Sequence, residues 1–332
     1  MSYHFFPINY KPDYPPKRTQ VYISDYIELL NANIQQKLNG IYIQPATICN
    51  VNGSWNAHKQ NERYISFDNK YTNEVSEILL EPGNYMRYAL TNFDNADTLL
   101  YTAMTSIKRD AQEKDGEIMT SFNYYIEYRL VNESNRNQQV VALLKNILTI
   151  INAINHHQKF NDISTNEYIH SKINFISVYD LEKQYPTIPL NEALSRYVVS
   201  NGLTFIDKIY QHLPKGKRLS IGSPTADDYD QSGILYVFNK VTDTVIPIIK
   251  ISVRPTQEVI KKQIIQDTPG ELEEQIYRDT ILNSEIKFLP SIGIQIYFSH
   301  LMLINLSKMH LCEVIYSPCS PELIKYFKEN EI

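Results

Sequence analysis

Three carboxylates, Asp227, Asp228 and Asp230, stand directly ahead of an apolar hairpin whose second arm carries Lys250 and ends in Arg254. Carboxylates this close together can hold Mg2+ or a ligand ammonium. A lysine and an arginine on the next strand can hold an anion. Each group has a plainer reading: the acids as a solvated charge cluster, the two cations as the place where a core strand meets water. A second constellation lies in 122–129. There Phe122, Tyr124, Ile126 and Tyr128 alternate with Asn123, Tyr125, Glu127 and Arg129. Alternation with period two predicts a strand with one polar-capable face, so Glu127 and Arg129 either serve a site or make ordinary solvent-facing pairs. Lys108, Arg109 and Asp110 form a third charged group after a mostly apolar stretch. His156 and His157 end the longest helical pattern, where the helix dipole favours them. No third ligand falls at metal-binding spacing, so no metal site is expected there.

Composition narrows the function classes. The chain of 332 residues is long enough for one large domain or two modest ones. With 32 basic and 37 acidic residues the net charge is −5, so the surface as a whole is not drawn to nucleic acid or an anionic membrane. Only 10 glycines occur, and no glycine-rich nucleotide fingerprint is among them. The basic turn at 214–218 also lacks the flanks of a phosphate-binding loop. Cys49, Cys312 and Cys319 are too few and too widely spaced for a disulfide framework or a metal site, which points to a reducing, cytoplasmic setting. The N-terminus does not read as a signal peptide, and no apolar run reaches membrane-spanning length.

The elements that must position these residues follow from periodicity. Residues 233–254 read as two buried strands around a polar turn at 239–244, dense in β-branched side chains. Ile27, Leu30, Ile34 and Leu38 share a helical face in a helix capped by Ser24 or Asp25 and stopped at Asn39-Gly40. A second helix spans about 138–157, with Val141, Leu144, Leu148, Ile151 and Ile154 at spacings of three and four. Trp55 anchors a loop against the core. Weak strands are expected at 78–80 and 85–88, and a partly helical stretch at 90–107. A short helix covers 180–186 and another 190–199, followed by an apolar run at 203–209 of either type. A helix runs from 256 to 263, and Thr268-Pro-Gly-Glu271 opens another. Residues 288–298 lead through Gly293 into an apolar helix, and a strand at 311–316 precedes a short final helix. The order predicts an N-terminal arm over 1–22 and one α/β (α+β) domain over 23–332, on a mixed or antiparallel sheet.

Several segments in this order resemble a known family. They are LNGIYIQPATI at 38–48, LLYTAMTSIKRD at 99–110, INFISVYDLEKQYP at 173–186, ADDYDQSGILYVFN at 226–239 and IKISVR at 249–254. Together they resemble ammonia-dependent asparagine synthetase, the AsnA-type aspartate–ammonia ligase, which has a class II aminoacyl-tRNA synthetase-like antiparallel sheet flanked by helices. That resemblance implies an ATP- and Mg2+-dependent β-aspartyl-adenylate attacked by ammonia, and a homodimer built on the N-terminal helix and adjoining strand. It implies catalytic roles for Lys108, Glu127 and Arg254, with Lys108 and Arg254 on ATP. Arg87, Tyr125, Asp228 and Asp230 fall at the amino-acid pocket, and no residue is assigned to a metal. The chain also departs from the family. Tyr124 and Tyr125 replace an acid and an amide, and the segment with Lys250 lacks the family's carboxylate. The ATP-clamping arginine becomes Ile296 or Phe298, and a lysine- and arginine-bearing segment is reduced to Met86-Arg87-Tyr88. The expectation is a diverged, ligand- or partner-binding paralogue that has lost ATP-dependent asparagine synthesis. Its ligand would be an amino acid or nucleotide. The alternative is an ATP-dependent carboxylate–amine ligase working through an acyl-adenylate on another substrate.

Overall fold

The computed structural model describes residues 10–50, 55–56, 64–70, 73–93, 97–109, 120–130, 135–161, 172–214, 217–267, 288–315 and 321–329. The expected hairpin is present as β9 (Gly233–Asn239) and β10 (Thr244–Val253), antiparallel, with Asp243 in the left-handed region of its turn. It sits inside an eight-stranded sheet. From one edge the sheet runs β1 (Ile41–Tyr42), β5 (Leu99–Ile107), β6 (Thr120–Arg129), β11 (Ser291–Ile296), β10, β9, β8 (Thr204–Asp207) and β7 (Asn174–Ser177). The β1–β5 and β7–β8 pairs at the edges are parallel; all inner pairs are antiparallel. A separate small sheet has the order β2 (Ile48–Asn50), β4 (Glu74–Ile78) and β3 (Ser66–Asn69).

Three helices cover one face of the large sheet: α1 (Pro16–Leu38), α3 (Arg136–Asn155) and α7 (Phe298–Asn305). On β10, Ile249, Ile251 and Val253 point to this side, and they meet Ile292, Ile294 and Ile296 of β11 and Tyr124 and Ile126 of β6 in one core. Helix α1 inserts Tyr22, Tyr26, Leu30 and Ile34, spaced by four, and Asn39 at its C-cap has a left-handed backbone. Inside this core Tyr26 Oη and Asn305 Nδ2 both donate to Asn155 Oδ1, at 3.0 and 3.1 Å. That polar junction ties the three helices together.

The opposite face is covered by α2 (Gly83–Leu90), α4 (Val178–Gln184), α5 (Leu190–Asn201), the loop 217–232 and α6 (Gln257–Asp267). A last helix, α8, spans Pro321–Glu329. Trp55 lies edge-on against Tyr85 and Tyr88 of α2, so it does anchor its loop.

Several local expectations are corrected. Residues 85–88 are helical: Pro82 precedes the first turn, and Met86 and Leu90, four apart, pack on Leu100 and Tyr125. The stretch expected to be partly helical is strand from Leu99, because Leu99 and Tyr101 face one apolar layer and Leu100 the other. Helix α1 starts at Pro16, ahead of Ser24 and inside the expected arm. Residues 204–207 resolve as strand. Residues 311–313 form a 3-10 turn closed by a capping box between His310 and Glu313, in place of a strand. Cys312 is disulfide-bonded, where the cysteine count predicted no disulfide framework and a reducing setting, whereas Cys49 is a free thiol. The expected helix start at 268–271 lies outside the described residues. No helix among the described residues is long and apolar enough to cross a membrane.

Candidate functional site

Alternation along the strands puts polar side chains on the face away from the helical core. Across β10, β11, β6 and β5 the register aligns Lys250, Gln295, Tyr125 and Thr102 in one row. The next row holds Ser252, Gly293, Glu127 and Leu100. Arg254 leaves the end of β10 opposite Ser291 of β11, where its N–H donates to the Ser291 carbonyl at 3.0 Å.

Two buried ion pairs occupy this surface. Arg254 grips Glu127 with both arms of its fork, Nε to Oε1 at 2.9 Å and Nη2 to Oε2 at 2.6 Å, and Ser291 Oγ donates to Oε1 at 2.6 Å. Glu127 is 0% exposed and Arg254 9%. Burial alone would pull the guanidinium pKa down; the Glu127 charge outweighs it and holds the pKa above the ordinary value. Gly293 lies beneath this pair. A Cβ there would fall 2.2 Å from Arg254 Nη2 and 2.6 Å from Cζ, so only glycine leaves space for the guanidinium.

The second pair joins Lys250 to Asp227. Lys250 Nζ lies 3.0 Å from Oδ1 and 3.2 Å from Oδ2 of Asp227. Ser252 Oγ donates to Oδ1 at 2.5 Å, and the Ser223 N–H to Oδ2 at 3.2 Å. Here too burial works against the ammonium, but Asp227, and then Glu81, raise the Lys250 pKa above the ordinary lysine range.

The segment that delivers Asp227 is seated on Arg254 and on a further buried cation, Arg87. Arg87 Nη1 donates to the Thr225 carbonyl at 3.2 Å and Arg254 Nη1 to the Ala226 carbonyl at 2.8 Å. Gln263 of α6 donates to the carbonyls of Pro224 and Asp227 at 2.9 and 3.0 Å, and accepts the Tyr229 N–H at 2.9 Å. Four successive carbonyls, 224 to 227, are therefore each taken by a side-chain donor. Beside them Tyr125 Oη donates to Ser106 Oγ at 2.9 Å, and Ser106 passes its own hydrogen to the Leu80 carbonyl at 2.8 Å. Burial, with the nearby Glu81 charge, keeps the Tyr125 phenol protonated well past its usual range.

The cavity bordered by Glu81, Tyr125, Glu127, Lys250, Arg254 and Gln295 measures about 20 Å3. That volume suits one water molecule. The two cations that border the cavity, Lys250 and Arg254, are each already paired with a carboxylate. The donor set does not suit Mg2+. Glu127 and Asp227 are turned onto cations, and no group of three His, Cys, Asp or Glu among the described residues could hold a metal ion.

The residues singled out in the sequence divide accordingly. Glu127, Arg254 and Tyr125 border the cavity. Arg87 is buried nearby, with its guanidinium 4.6 Å above the Phe288 ring. Lys108 is exposed just beyond β5 and does not line the cavity. Asp228 accepts from the Asp230 N–H at 3.0 Å and Gln231 Nε2 at 2.8 Å, and lies 3.9 Å from Arg136 of α3. Burial raises its pKa. Asp230 is exposed and accepts from Gln211. Ile296 and Phe298 are buried in the helical core. The polar side chain of the following turn, His300, shares a hydrogen bond with the Pro247 carbonyl at 2.9 Å. Ser252, Ser291 and Gln263 were not anticipated, and Asp227, expected with Asp228 and Asp230 as a holder of Mg2+ or an ammonium ligand, is instead paired with Lys250. The charge complementarity between the acidic loop and Lys250 was the one signal for Asp227.

A sequence model of the AsnA family, described as aspartate–ammonia ligase, matches residues 17–331. An aspartate–ammonia ligase of Clostridium tetani is 23% identical, over 98% of this chain and 95% of its own length. One from Clostridium perfringens (strain SM101 / Type A) is 24% identical, over 99% and 98%. Among solved structures, the Entamoeba histolytica asparaginyl-tRNA synthetase complexed with asparaginyl-adenylate superposes with a TM-score of 0.61 at 11% identity, over 90% of this chain and 66% of its own. The Pyrococcus horikoshii asparaginyl-tRNA synthetase gives 0.63 at 10% identity, over 92% and 69%. The fold is thus that of the class II aminoacyl-tRNA synthetases, and the chain spans about two-thirds of the length of these two.

Proposed function

The chain belongs to the AsnA-type aspartate–ammonia ligase family, and on that premise we propose that it keeps the scaffold while ATP-dependent asparagine synthesis has been lost, leaving a ligand- or partner-binding paralogue. One observation carries this reading: Arg254 and Lys250 are each closed onto an internal carboxylate, with water-sized space between them. Acyl-adenylate formation requires cationic donors and a metal over the triphosphate as charge develops. Removing a single such donor typically lowers turnover by about 10²–10³-fold. In this chain two cations are engaged internally. In this reading the protein is also a homodimer built on α1 and β1, which expose Val21, Ile41 and Tyr42.

The test is pyrophosphate release in the presence of aspartate, ammonium, ATP and Mg2+, with the Clostridium tetani ligase assayed in parallel. The expected result is no release above background by this protein. Aspartate-dependent release would overturn the reading. Release supported only by a different carboxylate would favour an acyl-adenylate-forming ligase with an altered substrate.

A further inference from the structure

We propose that Lys250, Ser252 and the Ser223 N–H form a binding site for a small carboxylate, and that Asp227 fills it as a tethered ligand. The inference rests on the binding reading above and names what the cleft takes. Three donors of different kinds, an ammonium, a hydroxyl and a backbone N–H, converge on the two oxygens of one carboxylate. All are buried: Lys250 and Ser252 are 4% exposed, and Ser223 and Asp227 0%. Two of the donors stand on or beside the rigid centre of the sheet. The acceptor arrives from the loop before β9.

The charge of the site sets its ligand class. Lys250 has its carboxylate contact with Asp227 and a ring contact with Tyr210 at 5.6 Å. A buried ammonium left without an anion is strongly disfavoured. Size sets the rest. Removing the Asp227 side chain opens a carboxylate-sized space beside a cavity of about 20 Å3. That space takes a formate-sized head group and excludes a phosphate chain. Gln263, Arg87 and Arg254 hold the loop by its carbonyls and not by the Asp227 side chain, so the Ser223 N–H keeps its place when a diffusible carboxylate replaces that side chain.

The experiment removes the tethered carboxylate and supplies a diffusible one. D227A is melted in sodium formate and in sodium chloride at equal ionic strength, alongside wild type and D227A/K250M. The expected result for D227A is a saturable rise in Tm of about 2–4 °C with formate. Chloride should give no such rise, nor should formate with wild type or the double variant. If D227A does not fold unaided, its soluble yield on refolding in formate against chloride reads the same property. Absence of formate-specific rescue in both formats, or equal rescue in D227A/K250M, overturns the proposal. The two readings fail separately: aspartate-dependent pyrophosphate release by wild type would sink the loss of synthesis and leave formate rescue unchanged.

Discussion

Gly293 offers the sharpest perturbation of the buried Arg254–Glu127 pair. A Cβ at this position would lie 2.2 Å from Arg254 Nη2 and 2.9 Å from Nε. An ordinary contact distance is about 3.5 Å, so the guanidinium must retreat by roughly 1.3 Å. Its bonds to Glu127 are now 2.9 and 2.6 Å. A retreat of that size carries both beyond hydrogen-bonding range. Breaking a buried ion pair from one side costs about 3–5 kcal/mol, because the remaining carboxylate is left uncompensated. G293A should therefore lose roughly that much stability in urea unfolding, with Glu127 retaining only Ser291. The control is the same substitution in E127Q/R254M, where no guanidinium lies over the glycine. There the cost should fall to about 1 kcal/mol or less, and the difference is the coupling. An equal cost in the two backgrounds, or a loss under about 1 kcal/mol in the wild-type background, would refute the assignment of Gly293 as the floor of the pair.

Three further outcomes follow from the same structure. Q263A removes the side chain that holds the Pro224 and Asp227 carbonyls and the Tyr229 N–H; it should cost about 1–3 kcal/mol. It should also speed amide hydrogen exchange across 222–230, and unchanged exchange would show that the loop is held some other way. Burial, with the Glu77 charge, pushes the Cys49 thiol up to about 11. At pH 8 it should then carry roughly a hundredfold less thiolate than an ordinary cysteine, so iodoacetamide labelling followed by mass spectrometry should be correspondingly slow. Burial holds the Lys308 ammonium below the usual lysine range despite Glu313. The unfolded chain then keeps this proton to higher pH than the folded one. Stability should rise with pH between the depressed folded value and the ordinary 10.5, and K308M should abolish that increment. Parallel stability–pH curves for wild type and K308M would contradict it.

The hairpin at the centre of the sheet was legible because both arms are long, apolar and β-branched, and only one polar stretch lies between them. Period-two alternation likewise put Glu127 and Tyr125 on one face of β6. β11 was not legible. It is six residues long, it contains Gly293, and an apolar helix begins two residues later, so it merged with that helix. β5 was hidden for a related reason: both of its faces are covered, which erases the alternation that identifies a strand. Helix α2 was masked by tyrosines, whose strand preference was overridden by the packing of Met86 and Leu90. In the acidic loop no periodicity exists, so nothing in the sequence separates Asp227, which enters the cleft, from Asp228, which turns toward Arg136. The charge reversal at Lys250 was visible. Its partner required knowing how the loop folds back.

The central claim is that the cleft's cations are already neutralised from within. Isothermal calorimetry of wild-type protein with ATP in the presence of Mg2+ tests it most directly. The account predicts no saturable heat at millimolar nucleotide. A stoichiometric binding isotherm would contradict it, since Arg254 and Lys250 would then have to leave Glu127 and Asp227 for the phosphates.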